Sequence, residues 1–384
     1  MRIVVAHNLY SSAQPSGENT VLATETAALR AAGVEVVEFL RSSDEIADLP
    51  LGRKLALPVS PIYARQAQKD LSALLVREKP DVFHLHNPYP LLSPWVIRTA
   101  HKHGVPVVHT VHNYRQVCAS ALYFRDGHIC HDCRGRAFPL PAVVHSCYRG
   151  SKAQSLVMAT TLTVHRGTWR SVDRYIALTP MIAEHLASFG VPAERITVKP
   201  NSVPDPGFSD TPGEGFVIVG RLSEEKGLPL LLEAWRKHPV GALGPLRIVG
   251  DGPLRPLAEQ AAAERADIEF VGPVDRAGVN RAMRAAAALI VASTWHDVLP
   301  TVVIEALAVG RPVLGTNLGG IPYEIGDAGW VVEPDAAAMA EALGTAAKEA
   351  AGLRRTARDR YETTFTPEII TSRLVDVYRE VSAR

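Results

Sequence analysis

Short runs of aliphatic and β-branched residues recur along the whole chain. Each is followed by a longer stretch whose apolar positions return every three or four residues. In the first half the runs predict strands at Ile3–Ala6, Val34–Phe39, Val82–Leu85, Val105–Thr110, Tyr175–Leu178 and Ile196–Val198. The stretches between them predict helices at Thr20–Ala32, Arg65–Arg77 and Met181–Phe189. The second half repeats the scheme, with strands at Phe216–Val219, Arg247–Val249, Ile268–Val271, Leu289–Ala292, Val313–Gly315 and Trp330–Val332. Helical patterns there cover Pro229–Lys237, Leu254–Ala263, Arg276–Ala287 and Ala336–Ala350. Strands without polar alternation are buried on both faces, as in parallel sheets covered by helices. The fold class is therefore α/β, a doubly wound parallel sheet present twice.

Residues 201–215, Asn201 to Gly215, are rich in Pro and Gly and carry no periodicity, so they read as a linker. This divides the chain into residues 1–200, a first Rossmann-like domain, and 216–366, a second. Residues 367–384 form a helical tail with Ile369, Leu374, Val375 and Tyr378 on one side. In open α/β sheets ligands bind beyond the carboxyl ends of the strands, so the loops that follow strands are where chemistry belongs.

Composition narrows the classes. With 41 Lys+Arg against 40 Asp+Glu the formal charge is +1, which gives no reason to expect nucleic acid as a partner. The run Ile3–Ala6 is too short for the apolar core of a signal peptide, and no apolar stretch reaches membrane-spanning length. A cytoplasmic enzyme is the default expectation.

Three loops in the second half carry candidate chemistry. Gly220, Arg221 and Lys226 follow a strand and precede a helix; a guanidinium and an ammonium there suit a pyrophosphate, although Arg and Lys are also common on solvated loops. Farther on, Asp297 lies in a loop and Glu305 on the helix that starts near Pro300 or Thr301, whose free amides make an anion site. Both carboxylates can accept from sugar or ribose hydroxyls. Gly310 is placed to close that helix. Gly319 and Gly320 form a glycine-rich turn before Glu324.

Taken in order, Gly220-Arg221-Leu222, Glu225-Lys226-Gly227, Asp297 with Glu305, Gly310-Arg311-Pro312-Val313 and Gly319-Gly320 with Glu324 resemble the C-terminal signature of retaining glycosyltransferase family 4. The resemblance extends over nearly the whole chain. It implies the GT-B fold, two facing Rossmann-like domains with a C-terminal helix crossing back to the first, and a hexosyltransferase-type activity. It also implies that Arg221 and Lys226 bind the donor diphosphate, Glu305 the ribose, and Asp297 the donor sugar, with the backbone of Leu299, Pro300, Thr301 and Val302 capping the phosphates. The family motif usually begins with Glu where this chain has Asp297, one methylene shorter, which bears on the donor sugar. UDP sugars are the leading donors and GDP sugars the next; acceptors range from small molecules to glycans and lipids.

In the first half, Gly17 stands in the loop from His7 to Thr20 where the family brings backbone close to a phosphate; the family often has two adjacent glycines there, and this chain has Ser16-Gly17. His84, His86, His109 and His112 lie at two strand ends, so all four are expected to point into the cleft. The resemblance places His112 near the reacting centre; His86, Asn87 and Asn113 are assigned to the acceptor side. It implies front-face attack without a committed nucleophile. No Asp-x-Asp clamp is present, so a reaction needing no metal or other cofactor is expected.

Cys118, Cys130, Cys133 and Cys147 all fall in residues 113–150, an excursion long enough to suggest function. They can supply four thiolates to a structural zinc ion; two disulfides or four separate thiols are the alternatives. Arg134, Arg136, Arg149, Lys152, Arg166 and Arg170 surround them. They offer contact with an anionic membrane face or a phosphorylated acceptor, or form an ordinary solvated surface. Rival functions are a sugar-nucleotide epimerase on the same fold, a pyridoxal phosphate phosphorylase, a non-enzymatic binding module, and a dehydrogenase. The last would need Gly-x-Gly-x-x-Gly, which neither half has.

Overall fold

The computed structural model describes residues 1–12, 16–50, 54 and 57–383. Two compact units emerge. The first comprises Met1–Tyr123, Cys130–Pro200 and Ile370–Arg384, and the second Phe124–Ile129 with Asn201–Ile369. Six residues of the cysteine excursion therefore belong with the second unit.

The first unit holds β1 (Arg2–Leu9), β2 (Glu35–Ser42), β3 (Val82–Leu85), β4 (Val107–Val111), β7 (Arg174–Ala177) and β8 (Ile196–Val198), ordered β2-β1-β3-β4-β7-β8 and parallel throughout. The short antiparallel pair β5 (Phe124–Arg125) and β6 (His128–Ile129) lies within the excursion. The second unit holds β9 (Phe216–Val219), β10 (Leu246–Val249), β11 (Ile268–Gly272), β12 (Ala288–Val291), β13 (Val313–Thr316) and β14 (Gly329–Val332), ordered β11-β10-β9-β12-β13-β14 and again parallel. In each sheet the order reverses beside the unit's first strand, which opens a crevice at the strand ends. Every strand predicted from periodicity is present, with ends moved by at most a few residues.

The second core packs Ile218, Leu231, Trp235, Ile248, Ile290 and Leu343 between sheet and helices. The first core includes Ile3, Val5, Val108 and Ile176, and also Leu374, Val377, Tyr378 and Val381 from the C-terminal helix Pro367–Ser382. That helix buries the face running through Ile370, Leu374, Val377, Tyr378 and Val381. Ile369 and Val375, expected on the packed side, are only partly buried, because the true stripe follows i, i+4, i+7, i+8 spacing. Gly17 is also relocated: it is the first residue of the helix Gly17–Ala31, with Ser16 as its cap. Ala13, Gln14 and Pro15 of the preceding loop lie outside the described residues. Among the described residues no helix is long and apolar enough to cross a membrane.

Candidate functional site

In the second unit, the loops after β9 and β12 border a cleft of about 410 Å³. It is lined by Gly220, Arg221, Lys226, Ser293, Asp297, Pro300 and other residues of those strand ends. A 3-10 turn, Glu224–Lys226, carries the lysine, and Gly227 follows at φ 73° to open the helix Leu228–Arg236. A Cβ on Gly227 would lie 1.7 Å from the Ala292 carbonyl oxygen, so only glycine lets the two loops come this close. Thr294 N donates to Glu225 O at 2.9 Å and ties them together.

Both cations are already paired. Lys226 Nζ lies 2.5 Å from Asp297 Oδ2 and 5.5 Å from the centre of the Trp295 ring. Arg221 Nη2 lies 2.5 Å from Glu225 Oε1, which also accepts from Ser223 Oγ at 2.7 Å, while the guanidinium remains 65% exposed. Arg221 is therefore held in place at one end and open to a ligand at the other. Gly319, at φ 67°, passes so close to Asp297 that a Cβ would meet its carbonyl oxygen at 2.0 Å, and Gly320 N donates to that oxygen at 2.7 Å. The glycine-rich turn thus fixes the backbone of Asp297.

The helix Thr301–Ala308 starts after Pro300 with no side-chain cap, leaving its first amides for an anion. Val302 is half-buried at the cleft and Leu299 is buried just before it. Gly310, at φ 75°, ends the helix. Burial raises the pKa of Glu305, with Arg276 opposing. Glu324 is fully buried and neither of its oxygens has a hydrogen-bond partner. Burial, and then the charge of Asp297, drives its carboxyl well above the usual range. The sequence pattern contained Glu324 and Glu225 but assigned them no role; each is defined by a neighbour distant in sequence or by a side-chain direction.

The first unit has its own smaller cleft, about 270 Å³, lined by Glu18, His86, Asn87, His112, Asn113 and Arg115 among others. His112 follows β4 directly, and its Nε2 lies 2.9 Å from His86 Nδ1. The Asn87 side chain donates to Asn8 O and Tyr89 O, which holds the loop in shape at the edge of the cleft. Asn113 Nδ2 donates to Glu18 Oε1 at 3.4 Å. Glu18, missed in the sequence, sits in the first turn of its helix, and burial raises its pKa. His109 lines the cleft but stacks on Trp169 and bonds Leu85 O. His84 does not point into it: its Nδ1 meets Tyr378 Oη at 2.6 Å and its Nε2 meets Thr110 Oγ1 at 2.8 Å, inside the core. His84 and His86 stand two positions apart and share one strand face, with ring centroids 4.3 Å apart, but His84 lies one step farther into the core.

None of the four cysteines is joined in a disulfide, and all are half-buried. Burial pushes the Cys133 thiol up to about 11, with Cys118, Cys147 and Cys130 adding to the shift. Among the described residues, the group whose ligand atoms come within 4.8 Å of one another is Glu25, His84 and His86, not a set of sulfurs.

Residues 16–202 match the family described as glycosyl transferase 4-like domain, and residues 213–349 match glycosyl transferases group 1. WcaL of Escherichia coli, a glycosyltransferase named for colanic acid biosynthesis, is 30% identical over 54% of this chain and 57% of its own length. The chain thus spans about half of that relative. A phosphatidyl-myo-inositol mannosyltransferase of Mycobacterium leprae is 26% identical over 87% of this chain and 84% of its own. Among solved structures, sucrose-phosphate synthase of Thermosynechococcus elongatus superposes with TM-score 0.72 at 20% identity, covering 100% of this chain and 99% of that one. Anabaena HepE in complex with UDP-glucose superposes with TM-score 0.67 at 15% identity, covering 99% and 100%. These two likenesses are of fold. With one family match over each sheet, in chain order, the chain belongs to the group 1, family 4 glycosyltransferases of GT-B architecture.

Proposed function

We propose that the protein transfers a sugar from a nucleoside diphosphate sugar to an acceptor hydroxyl with retention of configuration and without a metal ion. UDP is the leading nucleotide and GDP the next. The observation that carries this reading is the cleft at the ends of β9 and β12, where Arg221, Lys226 and an uncapped helix start meet. That set matches a diphosphate: a fork-shaped cation, a point charge and free backbone amides. HepE, whose structure was solved with UDP-glucose, supports the choice of UDP.

In the transfer the bond from the anomeric carbon to the phosphate oxygen breaks and the electron pair stays on the diphosphate. The acceptor oxygen bonds the same face of the carbon, and its proton passes to the departing diphosphate. Arg221 and Lys226 stabilise the charge as it builds. Lys226 can move from Asp297 to a phosphate, which frees the Asp297 carboxylate for a sugar hydroxyl. Glu305 accepts from the ribose, and His112 accepts from a hydroxyl of the donor sugar. The acceptor is a small molecule, a glycan or a lipid-linked glycan, and a peripheral membrane contact is compatible with the last.

Thermal shifts with UDP, GDP, ADP and dTDP test the nucleotide, and the largest shift is expected with UDP. Replacing Arg221 and Lys226 together by alanine should cost transfer at least about a hundredfold and weaken nucleotide binding; unchanged transfer and affinity would refute the reading. Activity should persist in excess EDTA, and a loss restored by a divalent ion would contradict the metal-free reaction.

A further inference from the structure

A chain of buried polar side chains runs through the first unit to His112. Lys199, directly after β8, has a fully buried side chain, and its Nζ lies 2.7 Å from Glu25 Oε2. Glu25, on the helix Gly17–Ala31, is 11% exposed, and its Oε1 lies 3.3 Å from His86 Nε2. His86 Nδ1 in turn lies 2.9 Å from His112 Nε2, with the two rings stacked at 5.2 Å. Ligand atoms of Glu25, His84 and His86 are close enough to hold a metal, but the Lys199 ammonium already supplies the positive charge there.

Burial opposes ionisation of Glu25, yet Lys199 and the adjacent imidazoles prevail and hold its pKa well below the usual range. Burial, then the neighbouring His86 and His7, keeps His112 neutral. For a His86 that carries a single ring proton, these states leave one order of protons. The 3.3 Å contact of His86 Nε2 with Glu25 Oε1 falls short of hydrogen-bond geometry, but an ionised carboxylate only accepts, so the Nε2 that faces it carries the proton and Nδ1 keeps a lone pair. His112 must then donate from Nε2, and its Nδ1 is left as an acceptor.

We propose that Glu25 and Lys199 are positioning residues for the transfer: their buried ion pair fixes the tautomer of His86 and through it that of His112, so that His112 Nδ1 accepts from a sugar hydroxyl. The proposal rests on the transferase reading for its consequence, but its proton order can be measured without turnover.

Glu25→Gln provides the test. The amide oxygen must face the Lys199 ammonium, which turns the NH2 toward His86 Nε2. His86 then donates from Nδ1, and His112 carries its proton on Nδ1 instead of Nε2. Adding Lys199→Met removes the cation, lets the amide rotate, and allows the original order to return. Nitrogen-15 NMR of the imidazoles should show His112 protonated at Nε2 in the wild type, at Nδ1 in Glu25→Gln, and at Nε2 again in the double variant. Transfer should follow, with kcat down about tenfold to a hundredfold in Glu25→Gln, a KM for the sugar nucleotide within about twofold, and partial recovery in the double variant. A His112 tautomer unmoved by Glu25→Gln overturns the proposal, as does an inverted tautomer with unchanged kcat. Should the wild type transfer no sugar at all while its tautomers behave as described, the transferase reading fails and the proton order stands.

Discussion

Both oxygens of Glu324 lie in the interior of the second unit, close enough to Asp297 to feel its charge. A carboxyl whose pKa is higher in the native state than in the unfolded chain binds more protons when folded. Its contribution is intact below the ordinary value of 4.5 and is lost as pH rises toward the folded pKa. Glu324→Gln keeps the shape and removes the titration. The variant should match the wild type near pH 4–5 and melt at higher temperature by about pH 8–9, at about 1.4 kcal/mol per pH unit between the two pKa values. Melting curves across that range check it; parallel curves would mean that Glu324 is not held protonated. The sequence places this acid just after a glycine-rich turn. It could not say that no donor would reach it, since Asp297, the charge that acts on it most, arrives from another strand end.

Among the elements, the loops after β9 and β12 depend on a backbone approach. Gly227→Ala would bring a methyl against the Ala292 carbonyl and force a left-handed φ on a residue with a side chain. It should cost about 1–3 kcal/mol for the backbone alone, with more for the displaced carbonyl. Thermal unfolding reads that cost, and nucleotide affinity should fall with it because Lys226 precedes the glycine. Gly220→Ala makes the control for crowding, since nothing lies within 4 Å of its added Cβ. The strands around these loops were legible in the sequence because a parallel strand buried on both faces needs an unbroken apolar run. The pair β5 and β6 was not, since each has two residues and no alternation to display.

Across the whole molecule, the C-terminal helix completes the core of the first unit. Leu374→Ala should destabilise by about 2–5 kcal/mol, read by urea denaturation, whereas Arg379→Ala, 71% exposed, should stay within about 0.5 kcal/mol. Equal effects would show that the helix does not pack as described. Its amphipathic character could be read from spacing, but the sequence reading put Ile369 on the packed side and left out Val377 and Val381, which are inserted, while Val375 packs at the edge of the core. A stripe that drifts around a helix is decided by what it meets.

Residue order alone determined the doubled α/β pattern, the family motifs and the loops that carry cations, because each depends on local spacing and on the burial demanded of strands. Tertiary structure alone decided which charges meet: Lys226 with Asp297, Lys199 with Glu25, His86 with His112. Electrostatic pairing falls off over a few ångströms, and separations that short between residues far apart in the chain exist only after the sheets have assembled.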